Sequence, residues 1–284
     1  MQHRADPDSI TRRLSRRAER AASLAADYAT IAALGLAVSA SSAAGQNGTS
    51  DKAMAEDRPM AATEPGERVL GEQLDAMKNS FAQRAPQETI DLFEQGIRDV
   101  EAIGVLDTAK KVGDRAPGFE LPNAMGDSVS LDAVLAEGSA VVTFYRGSWC
   151  PYCNIQLRSY QEHLDTFADL GAQLIAISPE TPDVTADSEE AAGYEFHVLS
   201  DPGNEAADAF GIRYRLPDEL ISAFEGRLNL AERNGDGSWT LPLGATYVIN
   251  PQGEIIYAFL DADYRTRAEP ADIIAALRSA DRPG

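Results

Sequence analysis

Cys150 and Cys153 are the only cysteines in 284 residues, and they stand three apart in the stretch Trp149-Cys150-Pro151-Tyr152-Cys153. Two thiols this close can pass between dithiol and disulfide, so thiol redox chemistry is the first function to consider. Whether they do so depends on where the backbone holds them. Ala140-Val141-Val142-Thr143-Phe144-Tyr145 has the β-branched and aromatic content of a buried strand, and Arg146-Gly147-Ser148 reads as a turn. Ile155, Leu157, Tyr160, Leu164 and Phe167 then recur at helical intervals up to Leu170-Gly171, which predicts one helix.

Pro151 suits the first helical position, where its missing N–H is not needed; that puts Cys150 at the N-cap and Cys153 at the third position. The free amide groups and the positive end of the helix dipole favour a thiolate there, so Cys150 is the expected nucleophile. Residues three apart on a helix have Cβ atoms about 5–6 Å apart, within a small adjustment of disulfide geometry, so Cys153 is the expected resolving thiol. Three duller uses stay open: a structural disulfide, half of a metal site, or two inert buried thiols. A bridge closing so short a loop stabilises little, and the histidines His3, His163 and His197 form no cluster with the pair that would complete a zinc site. His163 lies more than two helical turns beyond Cys153, too far to serve it as a base.

The rest of the chain must position this turn. Hydrophobic residues make up 44% and charged residues 25%, a globular composition. Forty-five acidic against twenty-five basic residues give a net charge of −20, which opposes binding to nucleic acid or to anionic membranes. Residues 1–68 read as a disordered leader. Within it Arg12, Arg13, Arg16, Arg17 and Arg20 precede an Ala-rich apolar stretch over 29–44, a signal-peptide outline with a candidate cleavage site at Val38-Ser39-Ala40. Two cysteines in a catalytic-type motif instead fit a reducing compartment, so the cytoplasm is expected, with export as the alternative if residues 1–40 act as a signal.

Residues 69–112 read as a helical arm, with Leu70, Leu74, Met77 and Phe81 on one stripe and Ile90, Leu92, Phe93, Ile97 and Val100 on another. Residues 113–284 read as an α/β domain. It opens on a hairpin over 119–131 and carries buried strands at 173–178 and 197–199. A second hairpin turns at Asn250-Pro251-Gln252-Gly253, and a last helix carries Ile273, Ile274 and Leu277. This order predicts a mixed central sheet flanked by helices.

Asp114-Arg115-Ala116-Pro117-Gly118-Phe119-Glu120-Leu121-Pro122, Phe144-Tyr145-Arg146-Gly147-Ser148-Trp149-Cys150-Pro151-Tyr152-Cys153, Leu199-Ser200-Asp201-Pro202 and Phe210-Gly211-Ile212 occur in this order. Together they resemble the peroxiredoxin family of alkyl hydroperoxide reductases and thiol-specific antioxidants, in its branch with a Cys-x-x-Cys. The resemblance implies a thioredoxin-like fold and a peroxidase that acts on hydrogen peroxide or organic hydroperoxides. In that cycle Cys150 becomes a sulfenic acid, Cys153 condenses with it, and thioredoxin or a glutaredoxin-type donor reduces the disulfide. It implies no metal or organic cofactor, and it allows a homo-oligomer.

The family usually carries a Pro seven residues before the nucleophile, a Thr or Ser three before it, and an Arg ahead of a later strand; here those positions hold Thr143, Gly147 and Gly244. Ser148 is then the candidate hydroxyl, and Arg146 the candidate cation for the thiolate and the departing oxygen, against a reading as a surface cation. Arg265 and Arg267 also resemble family positions, with a surface salt bridge as the competing reading. Trp149 is a candidate shield or docking surface, or simple packing. Two other functions remain in view. One is a thiol:disulfide oxidoreductase, since the cysteine stretch also resembles thioredoxin and glutaredoxin sites, although Gly244-Ala245 stand where those carry a proline. The other is a non-enzymatic redox sensor.

Overall fold

The structure is a computed structural model that describes residues 69–188 and 193–280. The leader, its signal-peptide outline and His3 lie outside the described residues. In chain order the arm holds helices α1 (Val69–Arg84), α2 (Gln87–Ala102) and α3 (Val105–Thr108). The hairpin strands β1 (Glu120–Pro122) and β2 (Ser128–Ser130) lead into α4 (Leu131–Leu135) and β3 (Ser139–Phe144). Then come α5 (Pro151–Gln161), α6 (Leu164–Asp169), β4 (Ala172–Ser178), α7 (Pro182–Ala186), β5 (His197–Ser200) and α8 (Glu205–Ala209). The chain finishes with β6 (Arg213–Arg215), α9 (Asp218–Phe224), α10 (Leu230–Asn234), β7 (Thr240–Pro242), β8 (Thr246–Ile249), β9 (Ile255–Phe259) and α11 (Pro270–Ala280).

All six residues of β3 are buried, so the strand reads as a continuous run rather than an alternation, the pattern of a strand covered on both faces. It is the centre of a five-stranded sheet in the order β5-β4-β3-β8-β9. β4 runs parallel to β3, with Ser139 opposite Ala172 and Phe144 opposite Ile177, and β5 runs parallel to β4. β8 and β9 are antiparallel, Thr143 facing Thr246. The mixed sheet flanked by helices is the expected thioredoxin-like architecture.

Strand parity divides the core. Val141, Leu174, Ala176 and Val248 face one layer, where Leu157 and Tyr160 of α5, Phe167 of α6, Ile273, Ile274 and Leu277 of α11, and Leu70 and Leu74 of the arm fill the space. Val142, Phe144, Ile175, Ile177, Tyr247 and Ile249 face the other, covered by Leu131 and Val134 of α4, Phe210, and Leu220 of α9. The arm is therefore part of both layers. α1 lies along α5, and α2 meets α9 so closely that a Cβ on Gly96 would stand 2.4 Å from Leu220 Cδ1. No helix among the described residues is long and apolar enough to cross a membrane.

Two features depart from the sequence expectation. The helix after the cysteines is broken: His163 leaves the helical region at φ −110°, ψ 7°, and its Nδ1 donates to the Ser159 carbonyl at 2.8 Å, taking the acceptor that its own amide would use in a continuous helix. The apolar stripe runs on across the break, because Leu164 and Phe167 pack on the same layer. Residues 211–243, for which the sequence showed no period, form an excursion. β6 and β7 pair antiparallel at its base, with Tyr214 opposite Leu241, and α9 and α10 lie between them. Strands of three residues and helices of five to seven are too short to show periodicity.

Candidate active site

The cysteine turn starts where β3 leaves the sheet. Tyr145 still donates its amide to Ile177 at 2.9 Å; Gly147 then takes φ +135°, a conformation that strains any other residue. A Cβ there would also meet Trp149 Nε1 at 2.5 Å and Glu180 Cδ at 3.0 Å. The family's Thr or Ser has no room at this position. Ser148 is clamped: its amide donates to Glu180 Oε2 at 2.7 Å, its hydroxyl lies 3.2 Å from Glu180 Oε1, and Arg233 Nη2 donates to that hydroxyl at 2.8 Å. Asn154 Nδ2 holds the Ser148 carbonyl at 2.9 Å. The Ser148 hydroxyl thus serves the clamp.

Cys150 occupies the N-cap of α5, with Pro151 opening the helix, and both thiols are reduced. Both are buried, Cys150 at 1% exposure and Cys153 at 0%. The Cys150 sulfur accepts no capping hydrogen bond from the first turn. Donors converge on Cys153 instead. Arg267 Nη2 lies 3.2 Å from its sulfur, the Arg146 backbone N–H bonds to it, and the Cys150 thiol donates to it. Burial alone pushes Cys153 up, but the bond from Cys150, the Arg267 guanidinium and the two contributions of Arg146 overcome it and bring the thiol down to about 5. Cys150 is pushed well above an ordinary thiol, first by burial and then by its bond to Cys153 and the charge there. The guanidiniums and the Arg146 amide thus favour the charged form of Cys153, whereas burial disfavours it at Cys150.

Arg146 and Arg267 are both buried, at 3% and 5% exposure. Arg146 Cζ lies 4.2 Å from the centre of the Tyr264 ring and 4.7 Å from that of Trp149, and its Nε has no hydrogen-bond partner. It is a shielded cation beside the sulfurs, not a surface one. Trp149 packs on Phe224 of the excursion at 6.1 Å between ring centres. Arg267 donates Nε to Gln156 Oε1 at 2.7 Å and Nη1 to the carbonyls of Thr266, at 2.6 Å, and of Tyr264. Gln156 Nε2 in turn lies 3.0 Å from Thr143 Oγ1 and 3.1 Å from the Tyr160 hydroxyl, so Thr143 belongs to the network that aims Arg267. A Cβ on Gly244 would stand 2.9 Å from Arg267 Cζ. The Arg267 guanidinium occupies the space that any side chain at position 244 would need.

Arg265 behaves differently from its near neighbour. It pairs with Glu94 at 2.6 Å and Asp263 at 2.7 Å, the salt bridge that was the competing reading. Of the histidines, His163 marks the helix break and His197 opens β5. Sequence reasoning missed Glu180, Arg233, Gln156 and Tyr264. Glu180 carried a signal, lying just past the carboxyl end of a parallel strand, where α/β sheets place functional groups. Gln156 carried one too, three residues beyond Cys153 and so on the same helix face. Arg233 had none.

The AhpC/TSA family model matches residues 112–258. The Mycobacterium tuberculosis protein named "Putative peroxiredoxin Rv2521" is 37% identical over 99 residues, 35% of this chain and 62% of that protein. The Thiol-disulfide oxidoreductase ResA of Halalkalibacterium halodurans is 26% identical over 119 residues, 42% of this chain and 66% of its own length. The chain thus spans less than two thirds of these relatives. The crystal structure of Peroxidoxin BcpB from Mycobacterium tuberculosis superposes with a TM-score of 0.48 at 23% identity, over 61% of this chain and 99% of that one. With the family model running over more than half of its residues, from the segment after the arm through both cysteines to β9, the chain belongs to the AhpC/TSA family, the peroxiredoxins.

Proposed function

We propose that the chain is a thiol-dependent peroxidase that reduces hydrogen peroxide or organic hydroperoxides. The observation that carries this reading is a reduced pair of thiols one turn apart, enclosed by two buried guanidiniums, of which Arg146 keeps an unpartnered donor beside the sulfurs. Such donors are what a developing oxyanion needs in a site closed to water. Cys150 attacks one peroxide oxygen, the O–O bond breaks, and Cys150 becomes a sulfenic acid while an alcohol or water departs. Cys153 displaces hydroxide from that sulfur to give the disulfide. Thioredoxin or a similar dithiol then restores both thiols by exchange and leaves as its own disulfide. The catalytic set is Cys150, Cys153 and Arg146, and the cycle belongs to a reducing cytoplasm, where such donors are kept reduced.

One equivalent of peroxide, added to the reduced protein, is expected to remove both free thiols with no external donor. A protein that keeps its thiols under peroxide, yet rapidly reduces a disulfide substrate, is a thiol:disulfide oxidoreductase, the activity named in one of the relatives, and that result sinks the peroxidase reading. Oxidation without turnover when a thioredoxin system is supplied would identify a sensor.

A further inference from the structure

We infer that Glu180 and Arg233 are positioning residues for Cys150: together they hold Ser148, two residues before it, and so fix the direction from which the Cys150 sulfur attacks. The excursion, which carries Arg233 on α10, is then a working part of the site. The inference rests on the peroxidase reading for the oxidant, and on hydrogen-bond geometry for the alignment.

The partners of Glu180 carry it. The carboxylate is fully buried, and among the described residues each of its bonds goes either to the cysteine turn or to the excursion. It takes the Ser148 amide at 2.7 Å and hydroxyl at 3.2 Å, and Arg233 Nε at 2.9 Å and Nη2 at 2.7 Å. A buried ion pair is weak evidence for stability, because well-packed apolar residues do as well; what it can supply instead is one defined geometry. Here that geometry is the turn's. The Ser148 amide is held by Glu180, its hydroxyl by Arg233, and its carbonyl by Asn154 Nδ2 at 2.9 Å. Only Trp149 separates Ser148 from Cys150, and its ring packs on both the Arg146 guanidinium and Phe224. The Cys150 amide closes the turn by donating to the Gly147 carbonyl at 3.1 Å.

Arg233 is itself fixed. Its carbonyl takes the Thr181 amide at 3.0 Å, and Gly235, at φ +73°, lies so close that a Cβ there would stand 2.4 Å from Thr181 Cγ2. The end of α10 and the loop after β4 are thus locked together on Ser148. Cys150 must place its sulfur in line with the O–O bond that it breaks, and a misplacement of about 1 Å can lower such a rate roughly 10²-fold. Neither Glu180 nor Arg233 bonds to a sulfur among the described residues, so the pair acts on direction and not on charge.

The test is the rate of peroxide-driven thiol loss in the reduced full chain, followed by stopped flow, beside the midpoint of its thiolate absorbance titration. The variants are Glu180→Gln, Arg233→Lys and the double variant Glu180→Gln with Arg233→Met, each checked for folding by circular dichroism. We expect Glu180→Gln to lower the rate roughly 10- to 100-fold in the folded protein while the midpoint stays in place. Arg233→Lys keeps the charge but not the fork that grips both Glu180 and Ser148, so its rate should fall between the two. The double variant leaves no buried charge alone and regains part of the stability, yet its rate should stay low, because the Ser148 hydroxyl has lost both carboxylate and guanidinium. A rate that returns with the stability, or native rates in the folded variants, would make the pair a brace only and overturn the inference. A midpoint that shifts along with the rate would overturn it too, since the pair would then act through charge. Arg233→Lys and the double variant decide this even if Glu180→Gln fails to fold. The two readings fail separately. A wild-type protein whose thiols peroxide leaves untouched removes only the peroxidase, and the same variants are then read by the rate at which Cys150 attacks a small aromatic disulfide, a displacement at S–S with the same in-line demand.

Discussion

The turn that leads into Cys150 lies between two buried cation sites, and they are built in opposite ways. On one side Arg233 meets a fully buried Glu180 at 2.7 Å, and the two together grip Ser148. On the other side Arg146 and Arg267 stand beside the sulfurs with no carboxylate among their hydrogen-bond partners in the described residues. Where a guanidinium has a carboxylate, its field is absorbed locally and what remains is geometry: the pair fixes the backbone of the turn. Where its only candidate anion is sulfur, its field falls on the reacting atoms. The same residue type is a clamp in one place and a chemical group in the other, and the presence of an acid decides which.

The sharpest break of this contrast removes a sulfur. Cys150→Ser is expected to abolish peroxide consumption, and Cys153→Ser to stop after one turnover with a sulfenic acid on Cys150, mapped by dimedone tagging and peptide mass analysis. A tag found on Cys153 of the otherwise native protein would exchange the two roles.

The next largest effect belongs to the clamp, and it falls on stability. Glu180→Gln leaves Arg233 without its carboxylate and two Ser148 contacts weakened; breaking a buried pair from one side costs about 3–5 kcal/mol, and Arg233, 15% exposed, puts this case toward the lower end. Adding Arg233→Met should return part of the loss, because no buried charge is then left alone. Denaturant unfolding measures both. The thiolate midpoint should move far less than in Arg267→Gln; an equal shift would erase the distinction between clamp and chemical group.

How much of this was legible in the sequence follows the range of each contact. β3, the helix start at Pro151 and the last helix announce themselves through runs of apolar residues and one proline, all local signals. The two cysteines and their one-turn separation are local as well. Arg267 and Cys153 are 114 residues apart in the chain, and Glu180 and Arg233 are 53 apart. No pattern within a helix or strand links such pairs; they meet because β8 and β9 carry the chain back across the sheet and because the excursion after β6 folds over the turn. The surroundings of the two sulfurs were hidden for the same reason. Capping argues from one helix end, whereas burial and a guanidinium from a distant segment also act on the sulfurs.

The pH dependence of stability follows from the same pair. Cys153 is depressed to about 5, against about 8.5 for an ordinary thiol. A depressed acid contributes stability that is fully present above the ordinary value and is lost as pH falls toward about 5. Cys150, raised, contributes stability that is present below the ordinary value and is lost as pH rises above it. Relative to Cys153→Ser, the reduced protein should therefore gain stability from pH 5 up to about 8.5, on the order of 1 kcal/mol per pH unit, as read from melting temperatures across that window. A flat difference would mean that Cys153 is not the ionised partner.

The smallest effect tests whether any nearby cation would serve. Arg265 lies two residues before Arg267, yet Glu94 and Asp263 hold it, and its bond to Glu94 ties α2 of the arm to the segment that carries Tyr264 and Arg267. Its bond and charge keep the Glu94 carboxyl below the ordinary range. Glu94 is more than a third exposed, so solvent screens the pair, and Glu94→Gln should cost no more than about 1 kcal/mol, a loss that added salt diminishes. The thiolate midpoint of Cys153 should stay where it is, since Arg265 still has Asp263 and still has no contact with sulfur. If instead loosening this surface pair raised the midpoint as far as Arg267→Gln does, the charge on Cys153 would depend on how the whole segment is anchored, and the division between an arginine that holds and one that acts would have to be redrawn around the arm.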